Sequence, residues 1–225
     1  GGAYPVGGSA RIYESILPLI EEVGGQVLIN AEVKQVLVRK GKAIGVLMAD
    51  DREIPAPIVI SGAGLATTAH QLLAEEDRKR SGLEKSLRKV ESSASHLCLY
   101  LGFKGRVDEL ELPKANWWYY PAEFDHDSLV AKFNADTSAE FPVIYVSFPA
   151  AKDPTWHDRF PDRSTVEVIT VASFDQFAPW LDTRWHKRGE EYEALKSDLS
   201  ERMLEKLYDL EPQLRGHLDH CELST

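Results

Sequence analysis

Basic residues are the scarcer charge in this sequence: 26 Lys and Arg stand against 36 Asp and Glu, a net charge of −10. So acidic a chain lacks the basic face that a broad nucleic-acid footprint needs, and no nucleic-acid partner is expected. Cysteine is nearly absent. Cys98 and Cys221 stand apart, neither in a CxxC pair, so no disulfide framework and no metal site is expected, and a reducing, cytoplasmic setting fits. A clean membrane-length apolar run is lacking too. Residues 54–74 carry no charge, but Pro55, Pro57, Gly62, Gly64, His70 and Gln71 interrupt them, and a strand, a turn and a helix explain the stretch better than a span. Also missing are a Ser-His-Asp order, a nucleophile elbow, a Walker loop, an initiator Met and a signal peptide, so the start reads like the middle of a longer chain. What is present is ordinary for a protein that buries a core: 225 residues, 43% hydrophobic and 28% charged, enough for one large domain or two small ones.

The pattern falls into two textures. In YPVGGSARI, Ser9 is placed to cap a helix. Ile12, Ile16, Leu19, Ile20 and Val23 then recur at helical spacing, with Pro18 expected to kink the helix and Gly24-Gly25 to end it. QVLIN (26–30) predicts a buried strand. Residues 32–54 predict two or three antiparallel strands turning at Lys40-Gly41-Lys42 and at Asp50-Asp51. PIVIS (57–61) predicts another strand buried on both faces. Beyond Gly64, short helices are expected over 67–74 and 83–90, and strands over 95–103, 117–120, 143–148 and 166–174. A strong helix over 189–210 follows, with Tyr192, Leu195, Leu199, Met203 and Leu207 on one face, and a last strand at 220–224. The fold class is α/β to α+β, with a boundary at residue 64: a helix, strand, β-meander and strand over 1–64, then a mixed sheet with flanking helices over 65–225.

Candidate chemistry is sparse. SGAGLAT (61–67) sits between strand-like and helix-like stretches, the context of a dinucleotide fingerprint, but Thr67 occupies the third glycine position and a tight turn explains it better. Asp125-His126-Asp127 has metal-ligand residue types, yet no further ligand set accompanies it, and a solvated loop is expected. His217, His220 and Cys221 are expected to scatter across a helix end and a strand. The run Trp117-Trp118-Tyr119-Tyr120 puts two aromatics on each face of a strand, one face for core and the other for core or an apolar pocket. The basic island Thr183–Arg188 reads as a solvated loop, or as an anion or membrane-surface contact.

The order of motifs resembles a family. YPVGGSARI, a helix, GGQVLINAEVKQVLV and GKAIGVLMADDREIPAPIVISGAG are similar to the central region of phytoene desaturase-type flavoproteins. YVSFPAAKDPTWHDRFPDRSTVEVIT, RGEEYEALKSDLSERMLEKLYDLEPQL and CELST resemble its retinol saturase and carotenoid isomerase branch. The resemblance implies an FAD-dependent oxidoreductase acting on a carotenoid, retinoid or similar apolar polyene, with peripheral membrane contact where such substrates live. It implies that 1–64 is the central piece of a discontinuous FAD-binding domain and 65–225 a substrate-binding domain truncated at its end. Such a piece alone is expected to be inactive, poor in FAD affinity and prone to self-association. For the cofactor the resemblance points to the backbone of Val33, the Gly7-Gly8 turn, and Ser61 and Gly62. Toward substrate it points to Arg11, at the position of a polar residue in the more distant amine oxidases; Trp117 and Tyr119 are candidates for the substrate side from the aromatic run itself. No general base is implied, because in this family the flavin carries the redox chemistry. The competing expectations are a non-catalytic apolar-ligand module of the same fold and an amine oxidase relative.

Overall fold

The computed structural model describes residues 3–90, 93–121, 125–184 and 186–225. Contacts gather it into two compact units, one of residues 17–93 and one of 1–16 with 94–225. The chain thus divides within α1 (Ala10–Glu22), just ahead of Pro18, and again after Ser93, whereas the sequence texture changes at 64. Helix α1 starts with backbone bonds from the N–H groups of Arg11 and Ile12 to the carbonyls of Gly8 and Ser9. It ends where the Gly25 N–H turns back to the Ile20 carbonyl at 2.9 Å, as the glycine pair predicts.

The unit of residues 17–93 is built on an antiparallel meander, β1 (Val33–Arg39), β2 (Lys42–Met48) and β3 (Glu53–Pro55), in that order across the sheet. Both predicted turns are observed, with Lys40, Gly41 and Asp51 at positive φ. Helix α2 (Leu65–Thr67), a wider turn over Thr68–Leu72, α3 (Glu75–Ser81) and α4 (Leu83–Leu87) follow. Helix α3 has no apolar periodicity to reveal it. Acidic residues in its first turn, basic residues in its last, and a Lys79–Glu75 ion pair one turn apart support it. Two expectations are corrected here. QVLIN (26–30) and PIVIS (57–61) are not strands, and Ile29 is 79% and Ile60 91% exposed. A strand covered on both faces needs neighbours on both sides, and the meander supplies none to either run.

The second unit is built on a five-stranded sheet with two helices packed on its core face. Its strands are β4 (Ser95–Lys104), β5 (Trp117–Tyr119), β6 (Ile144–Ser147), β7 (Arg163–Ala172) and β8 (Leu218–Ser224), in the order β5-β6-β7-β4-β8. Every pairing is antiparallel where the sequence suggested a mixed sheet. Strands β4 and β7 pair without a break from Ser95↔Ala172 to Lys104↔Arg163. Alternation sends Leu97, Leu99, Leu101 and Phe103 of β4 and Val166 and Val168 of β7 to one face. That face packs against α5 (His126–Ala135) through Phe133 and against α8 (Glu190–Leu210) through Leu199, Met203 and Leu207. Helix α5 replaces the loop expected around Asp125. The Asp125 carboxylate accepts the Ser128 N–H at 3.1 Å and its hydroxyl at 2.6 Å, so it is a helix cap rather than a ligand. Short helices α6 (Pro149–Lys152) and α7 (Trp156–Arg159) bridge β6 and β7. The basic island keeps Arg188 close to Tyr192, its Nη1 donating to the hydroxyl at 2.7 Å, while Trp185 lies outside the described residues.

Candidate functional site

On the other face of the five-stranded sheet, which Pro149 of α6 and Trp156 of α7 border, the register lays out the side chains in rows. One row runs Trp118, Tyr145, Ile169, Cys98, Ser224, and the next runs Ser147, Glu167, Tyr100, Glu222. Trp118 is 62% and Tyr100 44% exposed. The Trp118 and Tyr145 rings lie 4.7 Å apart. Beside Tyr100 a cavity of about 530 Å³ opens between Tyr4, Trp156 and Phe160, with Gly102 and Glu167 in its lining. An apolar, aromatic surface with few polar groups is the usual make-up of a small-molecule site. The aromatic run therefore divides as alternation requires. Trp117 and Tyr119 face the core, Trp117 meeting Phe148 edge to face at 5.7 Å, and Trp118 faces outward. Of the residues expected toward substrate, Trp117 and Tyr119 pack against the core, and their neighbour Trp118 is exposed on the other face.

The Gly7-Gly8 turn approaches a carboxylate of its own unit. The Gly7 N–H donates to Asp153 Oδ1 at 3.0 Å, and the N–H and hydroxyl of Thr155 bond the same oxygen at 3.0 and 2.8 Å. Arg159 pairs with the other oxygen. Burial pushes the Asp153 carboxyl up, but these donors and the guanidinium outweigh it and hold it below the usual range. The turn thereby places Tyr4 in the cavity wall, where burial first, then the Asp153 and Glu167 charges, raise its phenol. Lys152, beside it, donates to Ser147 Oγ at 2.9 Å and to Asn116 Oδ1. Burial lowers its amine, an effect the Glu167 charge opposes. Arg11 is exposed and paired with Glu14 at 2.7 Å.

Val33, Ser61 and Gly62 belong to the unit of residues 17–93. Val33 opens β1, an edge strand, so the backbone edge turned away from β2 has no strand partner among the described residues. The Ser61 hydroxyl is 2.7 Å from that of Thr68 and serves the turn ahead of α2. Among the described residues no three His, Cys, Asp or Glu side chains gather as a metal site. His217 Nδ1 meets the Lys104 carbonyl at 3.0 Å, and His220 and Cys221 point to opposite faces of β8. Sequence reasoning passed over Glu167 and Asp153. The single charge inside the apolar alternation of STVEVITV was a usable signal for the first. For the second the local signal was the Asp-Pro-Thr turn, whose Thr155 donates twice; its other donors, Gly7 and Arg159, lie 146 and 6 residues away.

No protein-family model matches the chain. Among curated proteins, the all-trans-retinol 13,14-reductase of Rattus norvegicus is 36% identical over 226 residues, covering 97% of this chain and 37% of that protein. The chloroplastic prolycopene isomerase of Arabidopsis thaliana is 28% identical over 225 residues, covering 99% of this chain and 34% of that protein. The chain thus spans little more than a third of the length of the curated relatives it matches. Among solved structures, an oxidoreductase from Methanosarcina mazei superposes with a TM-score of 0.58 at 18% identity, over 97% of this chain and 42% of its own, which shows a shared fold.

Proposed function

Because the chain belongs to the phytoene desaturase, carotenoid isomerase and retinol saturase family of oxidoreductases, we propose that it forms the substrate-holding part, and a piece of the cofactor-holding part, of an FAD-dependent enzyme acting on a retinoid, carotenoid or similar apolar polyene. One observation carries this reading: the open sheet face, where Trp118, Tyr145 and Ile169 form an apolar strip beside the aromatic cavity. A conjugated chain is flat and apolar, and ring faces with β-branched neighbours match it. FAD, when bound, supplies the two-electron chemistry.

The residues expected to hold that cofactor fit it unequally. Val33 fits, because the free edge of β1 can offer amide N–H and C=O to a flat ring. Gly8 fits, since nothing lies within 4 Å of where its Cβ would be, so a ligand has room to approach the backbone. The Gly7 N–H and the Ser61 hydroxyl are committed to Asp153 and Thr68, so these two residues, with Gly62, act by shaping turns. The chain's own contribution is shape and orientation, and no side chain here is assigned a proton-transfer step. The exposed runs at 26–30 and 57–61 offer apolar surface for the rest of the cofactor-holding part to pack on in this reading. Peripheral contact with a substrate-bearing membrane belongs to the same proposal; no helix among the described residues is long and apolar enough to cross one.

The test is the visible spectrum of the whole protein after purification and after addition of FAD. A flavin spectrum is expected. A protein that carries none and takes up none overturns the reading. The 225 residues alone, which hold no complete GxGxxG, are expected to bind FAD more weakly than about micromolar by calorimetry and to be inactive.

A further inference from the structure

The relatives named above act on an alcohol in one case and, by its name, on a carotene in the other, and the open sheet face holds a group that separates such ends. Glu167 sits in the middle of β7, directly across from Tyr100 on β4 and from Ser147 on β6. It lines the cavity together with Tyr4, Tyr100, Trp156 and Phe160. The other charges of that cavity are matched: Arg163 pairs with Asp219. His220 stands 3.6 Å from Glu222. Ser147 is engaged by Lys152. The amine that the Glu167 charge acts on, Lys152, donates to Ser147 and Asn116, and among the described residues no hydrogen bond reaches the Glu167 carboxylate. A carboxylate facing an aromatic-walled cavity with its acceptor oxygens free is suited to a ligand that is apolar along its length and carries one donor at its end.

Resting on the reading of the open face as the substrate surface, we infer that Glu167 is the specificity-determining residue for the polar end of the substrate: it accepts the hydrogen bond of a terminal hydroxyl while the polyene lies along the aromatic walls. Three consequences follow from charge and hydrogen bonding alone. A polyene alcohol leaves the carboxylate satisfied. A hydrocarbon of the same length leaves it facing apolar atoms with no partner. A polyene carboxylate meets a like charge.

The experiment uses the whole protein and three probes of one skeleton: all-trans-retinol, the hydrocarbon with a methyl in place of its CH₂OH, and all-trans-retinoic acid. Binding is read by fluorescence titration, on the wild type, Glu167→Leu and Glu167→Gln, with far-ultraviolet circular dichroism confirming the fold. The wild type is expected to bind the alcohol most tightly and the acid least. In Glu167→Leu the alcohol loses about ten- to a hundredfold and the hydrocarbon gains, the range of a hydrogen bond to a charged group. In Glu167→Gln the acid gains about tenfold, since an amide donates to a carboxylate. Should Glu167→Leu fail to fold, the acid's gain in Glu167→Gln decides alone. A merely structural Glu167 weakens all three probes together, and that result, or a wild type indifferent to the end group, overturns the inference. A wild type that binds none of the three overturns the reading of the open face as well.

Discussion

Asp153 shows how a single residue organises the opening of this chain. Its side chain is almost wholly buried, yet its carboxyl is held ionised by the N–H groups of Gly7 and Thr155, the Thr155 hydroxyl and Arg159. Gly7 is there for two reasons that differ in cost. Its φ of 90° is one that side chains rarely adopt, whereas the Arg11 Nε, 2.7 Å from where a Cβ would sit, is the flexible end of a side chain and moves at little cost. The electrostatic consequence has a definite sign. Because the folded-state pKa of Asp153 is depressed, its contribution to stability is complete above the unfolded carboxylate value of about 3.9 and is lost as pH falls through the lower folded value. Asp153→Asn keeps an acceptor for Gly7 but loses the charge that Arg159 meets. The variant is expected to lose roughly 1–3 kcal/mol at neutral pH and, in urea melts repeated down the pH scale, to show a smaller loss of stability below about pH 4 than the wild type. Parallel acid profiles for the two proteins would remove this role from Asp153.

At the scale of elements, legibility followed how local the determining signal was. The meander was read correctly because hairpin turns declare themselves in two or three residues, and α8 because five apolar residues share one helical face. Strands β4 and β7 are legible from their aromatic and β-branched content, although which alternate set faces the core is decided only by the register; the same holds for Trp117 and Tyr119, which pack against the core. Helices α3 and α5 were missed, the first for want of apolar periodicity and the second because an acidic cap resembles a ligand cluster. QVLIN and PIVIS were composed as buried strands and are unpaired, since pairing depends on neighbours that composition does not contain. The meander also has a weak point that sequence alone would not reveal. Gly45 stands between Leu37 of β1 and Pro55 of β3, and a Cβ there would come 2.3 Å from the Ile54 carbonyl oxygen, a backbone atom that cannot turn aside. Gly45→Ala is therefore expected to cost about 1–3 kcal/mol and to open the β2–β3 pairing. Amide exchange of residues 42–55 should quicken while that of β4 and β7 is unchanged. Unaltered protection of β3 would show that the sheet accommodates the methyl.

For the molecule as a whole, the decisive quantity is the apolar surface left without cover. Ile29, Ile58 and Ile60 are each at least three-quarters exposed, in stretches whose continuous apolar pattern belongs to strands buried on both sides. Among the described residues, edge strand β1 pairs with β2 alone, so its outer backbone edge in the same unit has no strand partner. Exposed apolar runs and open edges are what a second chain pairs with when the proper neighbour is missing. The net charge of −10 opposes this, but only over the distance that salt leaves unscreened, about 8 Å at physiological ionic strength. We therefore expect the 225-residue chain to self-associate with rising concentration, more strongly at high salt than at low, when followed by light scattering. Ile58→Lys with Ile60→Lys should return it toward the monomer without lowering the stability of the five-stranded sheet, because neither side chain belongs to that sheet's core. The whole protein is expected not to respond to salt in this way, since in the reading proposed above its remaining chain covers both runs. A 225-residue chain that stays monomeric at high concentration and high salt would mean that these runs find partners among the residues already present, and the case for a cofactor domain completed from elsewhere in the protein would lose its physical basis.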